Sequence, residues 1–356
     1  MKSPFNRSLT VLLLLAACGG GTADSTTTAP ATTTTVAATT TTLGATTTTA
    51  WVEVDVIALP VAGDEMGPGW VEELFLPYGP AEEQLGTSPG GEGGTLDLGP
   101  EYGAQAPDGT WWILDAAKTR LARFGPDGAF LGAITLPESV LVGGVYFQFQ
   151  LPRVMADGTL VAFGFRPEGT AVLRATAAGA VDQIVIPGTL FPRVDDGTLA
   201  YGFDDSDARL AIDPISGGAT PTEWFVTQAG NRFDIALSGD GLQIVLPDTG
   251  IDRVLPIVSA ADPTVPAFGS VEVTTTADGI IHVVMLGASE ADETTQLGGY
   301  FIILPDGGVG AVSPIRNPFS PSDPGSPAHL GAAFGSEQPW FMVVDTDGVH
   351  IYRRTG

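Results

Sequence analysis

A short unit recurs along the chain, and this repetition constrains the fold more than any other feature of the sequence. Each copy begins with a turn of the Asp-Gly type and continues into a run of aromatic and aliphatic residues. The clearest copy, residues 107 to 136, reads as a turn, a strand, a tight loop, a second strand, an Asp-Gly turn and a third strand. Such hairpin turns need a positive φ, which glycine adopts readily and aspartate tolerates.

The spacing of the copies predicts the architecture. Further copies begin at Asp157-Gly158, Asp196-Gly197, Asp240-Gly241 and Asp278-Gly279, and a degenerate copy begins at Glu337-Gln338. Counted from Asp108, successive copies lie 49, 39, 44, 38 and 59 residues apart, close to the roughly 40–50 residues of a four-stranded propeller blade. The sequence therefore predicts an all-β fold, a β-propeller of six four-stranded blades. Seven blades or an irregular barrel are the alternatives.

The last copy is one strand short, because the chain ends soon after residues 349–352. Residues 70–78, which precede the first full copy, could supply the missing strand. Closing the ring with an N-terminal strand removes the exposed sheet edges that invite aggregation. We therefore expect the first strand of the domain to complete the last blade.

Residues 100–137 resemble a blade of the NHL-type and related six-bladed propellers. The resemblance rests on the turn at Asp108, the aromatic-aliphatic strand that ends in Asp115, and the next strand, which contains Arg120. It is weaker over residues 150–312 and weakest at the C-terminus. Some propellers of this kind are calcium-dependent lactonases or esterases that hold a metal with Glu, Asp and Asn side chains at the channel mouth. The resemblance therefore makes a divergent propeller hydrolase or lactonase the alternative function.

The residue types that metal and hydrolase sites need are scarce. Beyond residue 17 the chain has two asparagines, Asn231 and Asn317. Its one Gly-x-Ser-x-Gly match, residues 86–90, lies in a stretch rich in glycine and proline with no helix pattern after it, so it does not fit the strand-turn-helix context of a nucleophile elbow. The histidines His282, His329 and His350 have no cysteine to join them in a zinc site. The acidic stretches at 204–207 and 345–348 lack the spacing of calcium loops and indicate solvated hairpins. We expect no metal, no cofactor and no catalytic residue, so the sequence favours a protein that is not an enzyme.

The first fifty residues predict export and lipidation. Lys2 and Arg7 precede an apolar run far shorter than the roughly 20 residues of a membrane span, and Leu15-Ala16-Ala17-Cys18 resembles the bacterial lipobox. Cys18 is the only cysteine of the chain and the predicted site of lipid attachment. We expect a lipoprotein signal peptide at residues 1–17, a disordered threonine-rich linker at 18–50 and the propeller at 51–356. This arrangement places the protein at the cell membrane, facing the extracytoplasmic side.

Charge excludes one class of partner. Removing residues 1–17 leaves 15 − 2 = 13 basic residues against 41 acidic ones, so the mature chain carries a net charge of about −28. An anionic surface of this size repels phosphate backbones and anionic headgroups. We therefore expect no nucleic-acid binding, and we expect a monomer whose contact with the membrane is the lipid on Cys18.

The first strand of each blade in a propeller borders the central channel. Reading back from the Asp-Gly turns gives a set of polar residues expected at the channel mouth: Glu101, Arg153, Arg193, Arg232, Glu272 and His329. Three arginines among them could form a cluster that attracts anions. The alternative is that each arginine pairs with an acidic neighbour at a strand end.

These features favour a non-enzymatic binding or scaffolding propeller at the cell envelope, with a small molecule, a glycan or a protein as its ligand. The divergent hydrolase or lactonase remains the alternative, and a purely structural envelope protein is the third class. The classes differ at the channel mouth. An enzyme requires a convergent cluster of carboxylates or histidine with perturbed pKa values, whereas a binding module presents aromatic or arginine anchors.

Overall fold

The computed structural model describes residues 54–63, 65–87, 100–137, 150–166, 168–289, 292–316 and 328–355. Throughout these ranges the chain is built from β-strands, with a single helical turn at Ala116–Lys118. None of the described residues forms a helix with the length and apolarity that a membrane crossing needs. The predicted signal peptide, the lipidation site Cys18 and the threonine-rich linker lie outside the described residues.

The strands follow one another in six consecutive groups. The first blade is preceded by two single strands, β1 (Ile57–Leu59) and β2 (Trp70–Pro77). Blade 1 comprises β3 (Pro100–Gln105), β4 (Trp111–Asp115), β5 (Arg120–Phe124) and β6 (Phe130–Thr135). Blade 2 comprises β7 (Gln150–Val154), β8 (Leu160–Arg166), β9 (Gly169–Ala175) and β10 (Val181–Ile186). Blade 3 comprises β11 (Leu190–Asp195), β12 (Ala200–Asp204), β13 (Arg209–Asp213) and β14 (Gly218–Pro221).

The second half of the ring continues in the same order. Blade 4 comprises β15 (Phe225–Val226), β16 (Arg232–Ser238), β17 (Gly241–Leu246) and β18 (Ile251–Leu255), and β19 (Ile257–Ser259) follows it. Blade 5 comprises β20 (Ala267–Thr275), β21 (Ile281–Ser289), β22 (Asp292–Ile303) and β23 (Ser313–Pro314). Blade 6 takes β24 (Ala328–Ala332), β25 (Pro339–Val344) and β26 (Gly348–Arg354) from the C-terminal part of the chain.

An N-terminal strand completes the last blade. The sheet of blade 6 has the order β2-β26-β25-β24, so β2 is its outermost strand. Trp70 pairs with Arg354 at one end of this contact and Pro77 with Gly348 at the other. The predictions of an all-β propeller, of six four-stranded blades and of closure by residues 70–78 are confirmed.

Blade 4 departs from the repeat. Its first strand, β15, pairs with β16 only at Phe225 and Val226. The predicted blade start at Asp240-Gly241 is wrong, because this turn joins the second and third strands of the blade. The turn equivalent to the other blade starts spans residues 227–231, where the Thr227 N–H donates to the Asn231 carbonyl. Its sequence keeps a glycine but lacks the aspartate that marks the other copies.

The innermost strands of the other five blades surround the axis. β3 contacts β7, β7 contacts β11, β11 contacts β20, β20 contacts β24, and β24 contacts β3. β11 of blade 3 therefore reaches β20 of blade 5 directly, past the short strand of blade 4. This approach brings side chains from blades that are not sequence neighbours to one place at the axis.

Apolar cores fill the spaces between neighbouring blades. The ring of Trp111 lies 5.2 Å from the ring of Trp340 in blade 6, while Trp112 packs against blade 2 beside Leu160 and Leu173. Successive side chains of a strand point to opposite faces of its sheet. Two adjacent tryptophans thus stabilise two different blade interfaces, and both are buried.

A short N-terminal strap, residues 54–63, fastens blades 4 and 5. β1 runs parallel to β19, with Ile57 opposite Ile257. The Ala62 N–H donates to the Gln296 carbonyl of blade 5 at 3.0 Å. Ile57 and Leu59 are fully buried in the core shared by blades 3 to 5. Because β2 then joins blade 6, the N-terminal segment holds three blades together, a feature that the sequence did not predict.

The residues that carry the resemblance to NHL-type blades have a structural role. Asp115 is fully buried at the end of β4, and its carboxylate accepts from Arg120 Nε at 2.8 Å and from the Gly86 N–H at 3.2 Å. Arg120 also donates through Nη1 to the Glu82 carbonyl and through Nη2 to the Gln84 carbonyl, both at 2.6 Å. The Asp-Arg pair of blade 1 thus anchors the loop that follows β2.

Candidate functional site

Arg193 occupies a β-bulge on the innermost strand of blade 3. The register of β11 with β12 shifts between Pro192 and Val194, so Arg193 has no cross-strand partner. On the facing strand, a Cβ at Gly202 would collide with the backbone of Phe191, so the bulge requires a glycine opposite it. Bulges change the direction of a side chain relative to the regular alternation, and Arg193 is exposed to solvent.

Arg153 lies on β7, buried beside the axis with an exposed fraction of 7%. Its Nε is 3.0 Å from Asp195 Oδ2 at the end of β11, so this ion pair joins blades 2 and 3. Its Nη1 donates to the Pro152 carbonyl at 3.2 Å. Its Nη2 is buried and finds no hydrogen-bond acceptor among the described residues.

His329 on β24 bridges Arg153 to blade 5. Arg153 Nη1 lies 2.9 Å from His329 Nε2, and His329 Nδ1 is hydrogen-bonded to Glu272 Oε1. A guanidinium can only donate, so Nε2 accepts and Nδ1 carries the proton that is donated to Glu272. The partners therefore assign a neutral, Nδ1-protonated imidazole.

Burial sets the charge state of this histidine. Desolvation lowers the pKa of His329, and the nearby Arg153 charge lowers it further. Glu272 opposes this shift through its negative charge and its hydrogen bond, but the desolvation of a fully buried ring outweighs it. The Tyr102 and Trp340 rings meet the imidazole edge-on at 5.8 and 5.4 Å, which fixes its orientation.

Two further charges complete the group. Burial raises the pKa of Asp195, and the neighbouring Arg153 partly offsets that shift. Burial lowers the pKa of Arg193, and Glu272 acts in the opposite direction. Arg193 is exposed to solvent even though the neighbouring protein lowers its pKa by desolvation. We call Arg153, Arg193, Asp195, Glu272 and His329 the axial network.

The structure brings together four of the six residues predicted at the channel mouth. Arg153, Arg193, Glu272 and His329 belong to the axial network. Glu101 is the extra residue of a bulge in β3, but its side chain lies outside the described part of the structure. Most of residues 138–152 and 313–329, two segments longer than an ordinary inter-strand turn, also lies outside it.

Arg232 is a correction. It begins β16, the second strand of blade 4, and its guanidinium binds Asp248 on the exposed surface through Nε at 2.8 Å. The prediction counted back from Asp240-Gly241 and so took the wrong hairpin of this blade. The cavity beside Arg232 has a volume of about 30 Å³, room for one or two water molecules.

Arg153 and Arg193 occupy different positions in their blades despite their similar sequence surroundings. Each follows a proline and precedes a valine. Arg153 lies two residues before Met155, where its turn begins, whereas Arg193 lies three residues before the corresponding Asp196. The bulge in β11 absorbs the extra residue, and it explains why one arginine is buried and the other exposed.

Asp195 is the member of the network that the sequence prediction missed. It directly precedes the Asp-Gly turn at Asp196, and Asp196 was the acidic residue that marked the blade start. A signal was present, because two adjacent aspartates at the end of an inner strand exceed what one turn needs. The Asp195 carboxylate also accepts from the Gly197 N–H at 3.0 Å.

Two further groups of polar side chains, around His282 and His350, find their partners locally. His282 lies between the Tyr300 hydroxyl, 2.7 Å from Nδ1, and the Thr276 hydroxyl, 2.8 Å from Nε2, inside blade 5. Asp345, Asp347 and His350 place one possible ligand atom each within 4.8 Å of one another. Asp345 pairs with Arg316, however, and His350 pairs with Asp347 and Glu72. These side chains therefore form an ion-pair cluster on blade 6.

Three solved structures illustrate the proteins whose folds are similar to that of this chain. Virginiamycin B lyase from Staphylococcus aureus is 12% identical, with a TM-score of 0.41 over 72% of this chain and 94% of its own. Aldose sugar dehydrogenase from Streptomyces coelicolor, in its PQQ-bound form, is 10% identical, with a TM-score of 0.45 over 81% and 98%. The calcium-binding protein regucalcin from Agrobacterium tumefaciens is 11% identical, with a TM-score of 0.41 over 85% and 97%. Similarity at this level transfers no ligand, metal or activity.

No curated protein matches the chain in sequence. A family model described as a domain of unknown function, DUF7485, matches residues 68–354. This match begins just before β2 and ends at the last residue of β26, so it contains all six blades. The chain belongs to the DUF7485 family.

Proposed function

We propose that this protein is an exported lipoprotein whose propeller binds a ligand at the axial network without chemically transforming it. Export and anchoring are supported by the basic residues Lys2 and Arg7, the short apolar run after them, and Cys18 as the only cysteine. The threonine-rich residues 21–50 supply a spacer between the lipid and the propeller.

The contact between Arg153 and His329 is the observation that favours binding over catalysis. A general base needs a lone pair within hydrogen-bond reach of the proton that it removes. The Nε2 lone pair of His329 is directed at Arg153 Nη1, 2.9 Å away, and Nδ1 is bound to Glu272. Both ring nitrogens are therefore engaged by groups of the protein. The histidine serves as a rigid link between a guanidinium and a carboxylate.

The anchoring half of the proposal is tested by metabolic labelling with an alkyne fatty acid, followed by detergent-phase partition. We expect the full-length protein to carry the label and to enter the detergent phase. The Cys18→Ala variant should lose both properties, while a Ser25→Ala variant in the linker should keep them. An unlabelled wild-type protein in the aqueous phase would contradict the assignment.

The binding half is tested by a thermal-shift screen of the purified protein with sugars, short peptides, organic acids, phosphate and calcium. A ligand that binds only the folded state adds roughly 2.7 kcal/mol of stability at 100 times its Kd. We expect at least one shift that Arg193→Gln abolishes and Arg232→Gln preserves. Turnover of aryl-ester or lactone substrates that is lost in His329→Gln would contradict the proposal and favour the hydrolase alternative.

A further inference from the structure

One donor group of Arg153 has no hydrogen-bond acceptor among the described residues. The side chain is 8% exposed, and its three polar contacts among the described residues are with Asp195, Pro152 and His329. Nη2 remains buried without an acceptor among the described residues. A buried donor without a partner costs about 1–3 kcal/mol, and more when it is charged. Such a group marks a place where an acceptor from outside the protein would be stabilised.

Arg193 offers a second donor set in the same network. The described residues give it no hydrogen bond and no ion pair within 4 Å, and Glu272 is the one charge that raises its pKa. Its bulge lies on β11, which contacts β20, the strand that carries Glu272, beside the axis. The arginine is exposed, so a solute can reach it without any rearrangement of the blades.

The sum of charges selects the class of ligand. Arg153 and Arg193 contribute two positive charges, Asp195 and Glu272 contribute two negative charges, and His329 is neutral. The network is therefore balanced, and one added negative charge is tolerated better than two. A guanidinium donates two parallel N–H groups in a fork that matches the geometry of a carboxylate. A phosphate dianion carries more charge and would face Asp195 and Glu272 at short range.

From these observations we infer that the axial network binds a carboxylate group, with Arg153 Nη2 and Arg193 as its donors. The carboxylate can belong to a free organic acid or to the C-terminus of a peptide, since both present the same planar anion. This inference rests on the proposed function as a binding propeller and specifies the ligand of the same site.

The test is a ligand-observed NMR titration of the full-length protein in detergent. Benzoate and benzamide form one pair of probes, and trialanine and its C-terminal amide form the other. We expect the acid of at least one pair to bind at least tenfold more tightly than its amide. The pair that shows the difference identifies the source of the carboxylate. Inorganic phosphate should bind at least tenfold more weakly than that acid.

Variants connect the binding to the two arginines. Arg193→Gln should weaken binding of the acid at least tenfold. Arg153→Lys, which keeps the charge but replaces the whole guanidinium, Nη2 included, should weaken it at least fivefold. Arg232→Gln is the matched control, because it removes an exposed arginine outside the network, and the Kd should stay within twofold. Circular dichroism and the unfolding midpoint of each variant show whether the fold is retained.

Other results overturn the inference in distinguishable ways. Equal affinity for acid and amide, or tighter binding of phosphate, refutes the carboxylate assignment and leaves the proposed binding function standing if Arg193→Gln still abolishes the signal. The assignment is also refuted if none of the four organic probes, the two acids and their two amides, binds. The thermal-shift screen and the turnover assay then decide the proposed function independently.

Discussion

Replacing Asp115 with asparagine tests how the repeat stabilises the propeller. Asp115 is fully buried and faces two cations, Arg120 with its Nε at 2.8 Å and Lys118, whose backbone N–H also donates to the carboxylate at 3.3 Å. Both cations are fixed by carbonyls of the loop, since Lys118 Nζ donates to Gln84 at 2.7 Å. Asparagine keeps the shape and removes the charge that compensates both cations; Glu83 compensates Lys118 to a smaller extent.

The size of the effect follows from this geometry. Breaking one partner of a buried ion pair costs about 3–5 kcal/mol, because the remaining charge is left uncompensated. Asparagine retains an acceptor for the Gly86 N–H, so we expect a loss of about 3 kcal/mol. Domains are stable by roughly 5–15 kcal/mol, so this loss is readily measured. Desolvation by burial and the Arg120 charge already lower the pKa of Lys118, and removing the aspartate should lower it further.

Urea denaturation followed by tryptophan fluorescence measures the change in the free energy of unfolding. Asp182→Asn is the matched control, because Asp182 binds Arg174 Nε at 2.6 Å but its side chain is 60% exposed. An exposed pair contributes about 0–1 kcal/mol. If Asp115→Asn costs less than about 1 kcal/mol, or no more than Asp182→Asn, the account of the buried pair is wrong.

Two further predictions concern the fold. Burial lowers the pKa of His282 to about 3, so the unfolded chain, with an ordinary pKa near 6.5, binds this proton first. The stability that the neutral ring contributes is therefore present above pH 6.5 and lost as the pH falls from 6.5 towards 3. We expect a loss of about 2–3 kcal/mol between pH 6.5 and 4.5 in urea titrations, and a His282→Gln variant that loses as much would refute this origin. Leu59→Ala should destabilise the protein by about 2–5 kcal/mol, because Leu59 is fully buried in the strap. Val61→Ala, on a side chain that is 53% exposed, should change the free energy of unfolding by less than 1 kcal/mol, and equal losses would show that the strap is not anchored by burial.

The sequence predicted the parts of the fold that depend on local chemistry. Asp-Gly pairs at Asp108, Asp157 and Asp278 begin hairpins because few residue pairs adopt the backbone that such turns need. The closing strand was predictable because an unpaired strand at one end of the chain matched a vacancy at the other. In blade 4 the same chemistry was misleading. The blade turn at residues 227–231 lacks aspartate, while an Asp-Gly pair begins the next hairpin.

Features that depend on approach between distant segments were less predictable. The strap around Leu59 is only three paired residues long, too short for any periodicity to show in the sequence. The bulge at Arg193 depends on Gly202 of the facing strand, and it shifted the register assumed from the Pro-Arg-Val repeat. Four of the six predicted site residues nevertheless converge, because inner strands of a propeller meet at the axis in any register.

The protonation state of His329 is the most direct test of the axial network. Nitrogen-15 NMR of the full-length protein distinguishes the neutral tautomers of histidine from the imidazolium, and His282→Gln and His350→Gln variants assign the signals. We expect His329 to be predominantly neutral, with the proton on Nδ1, at pH 6.5, where an ordinary histidine is half protonated, since burial and Arg153 both lower its pKa. A His329 that is half imidazolium or more at pH 6.5, or that carries its proton on Nε2, would contradict the contact with Arg153 and reopen the histidine as a catalytic base.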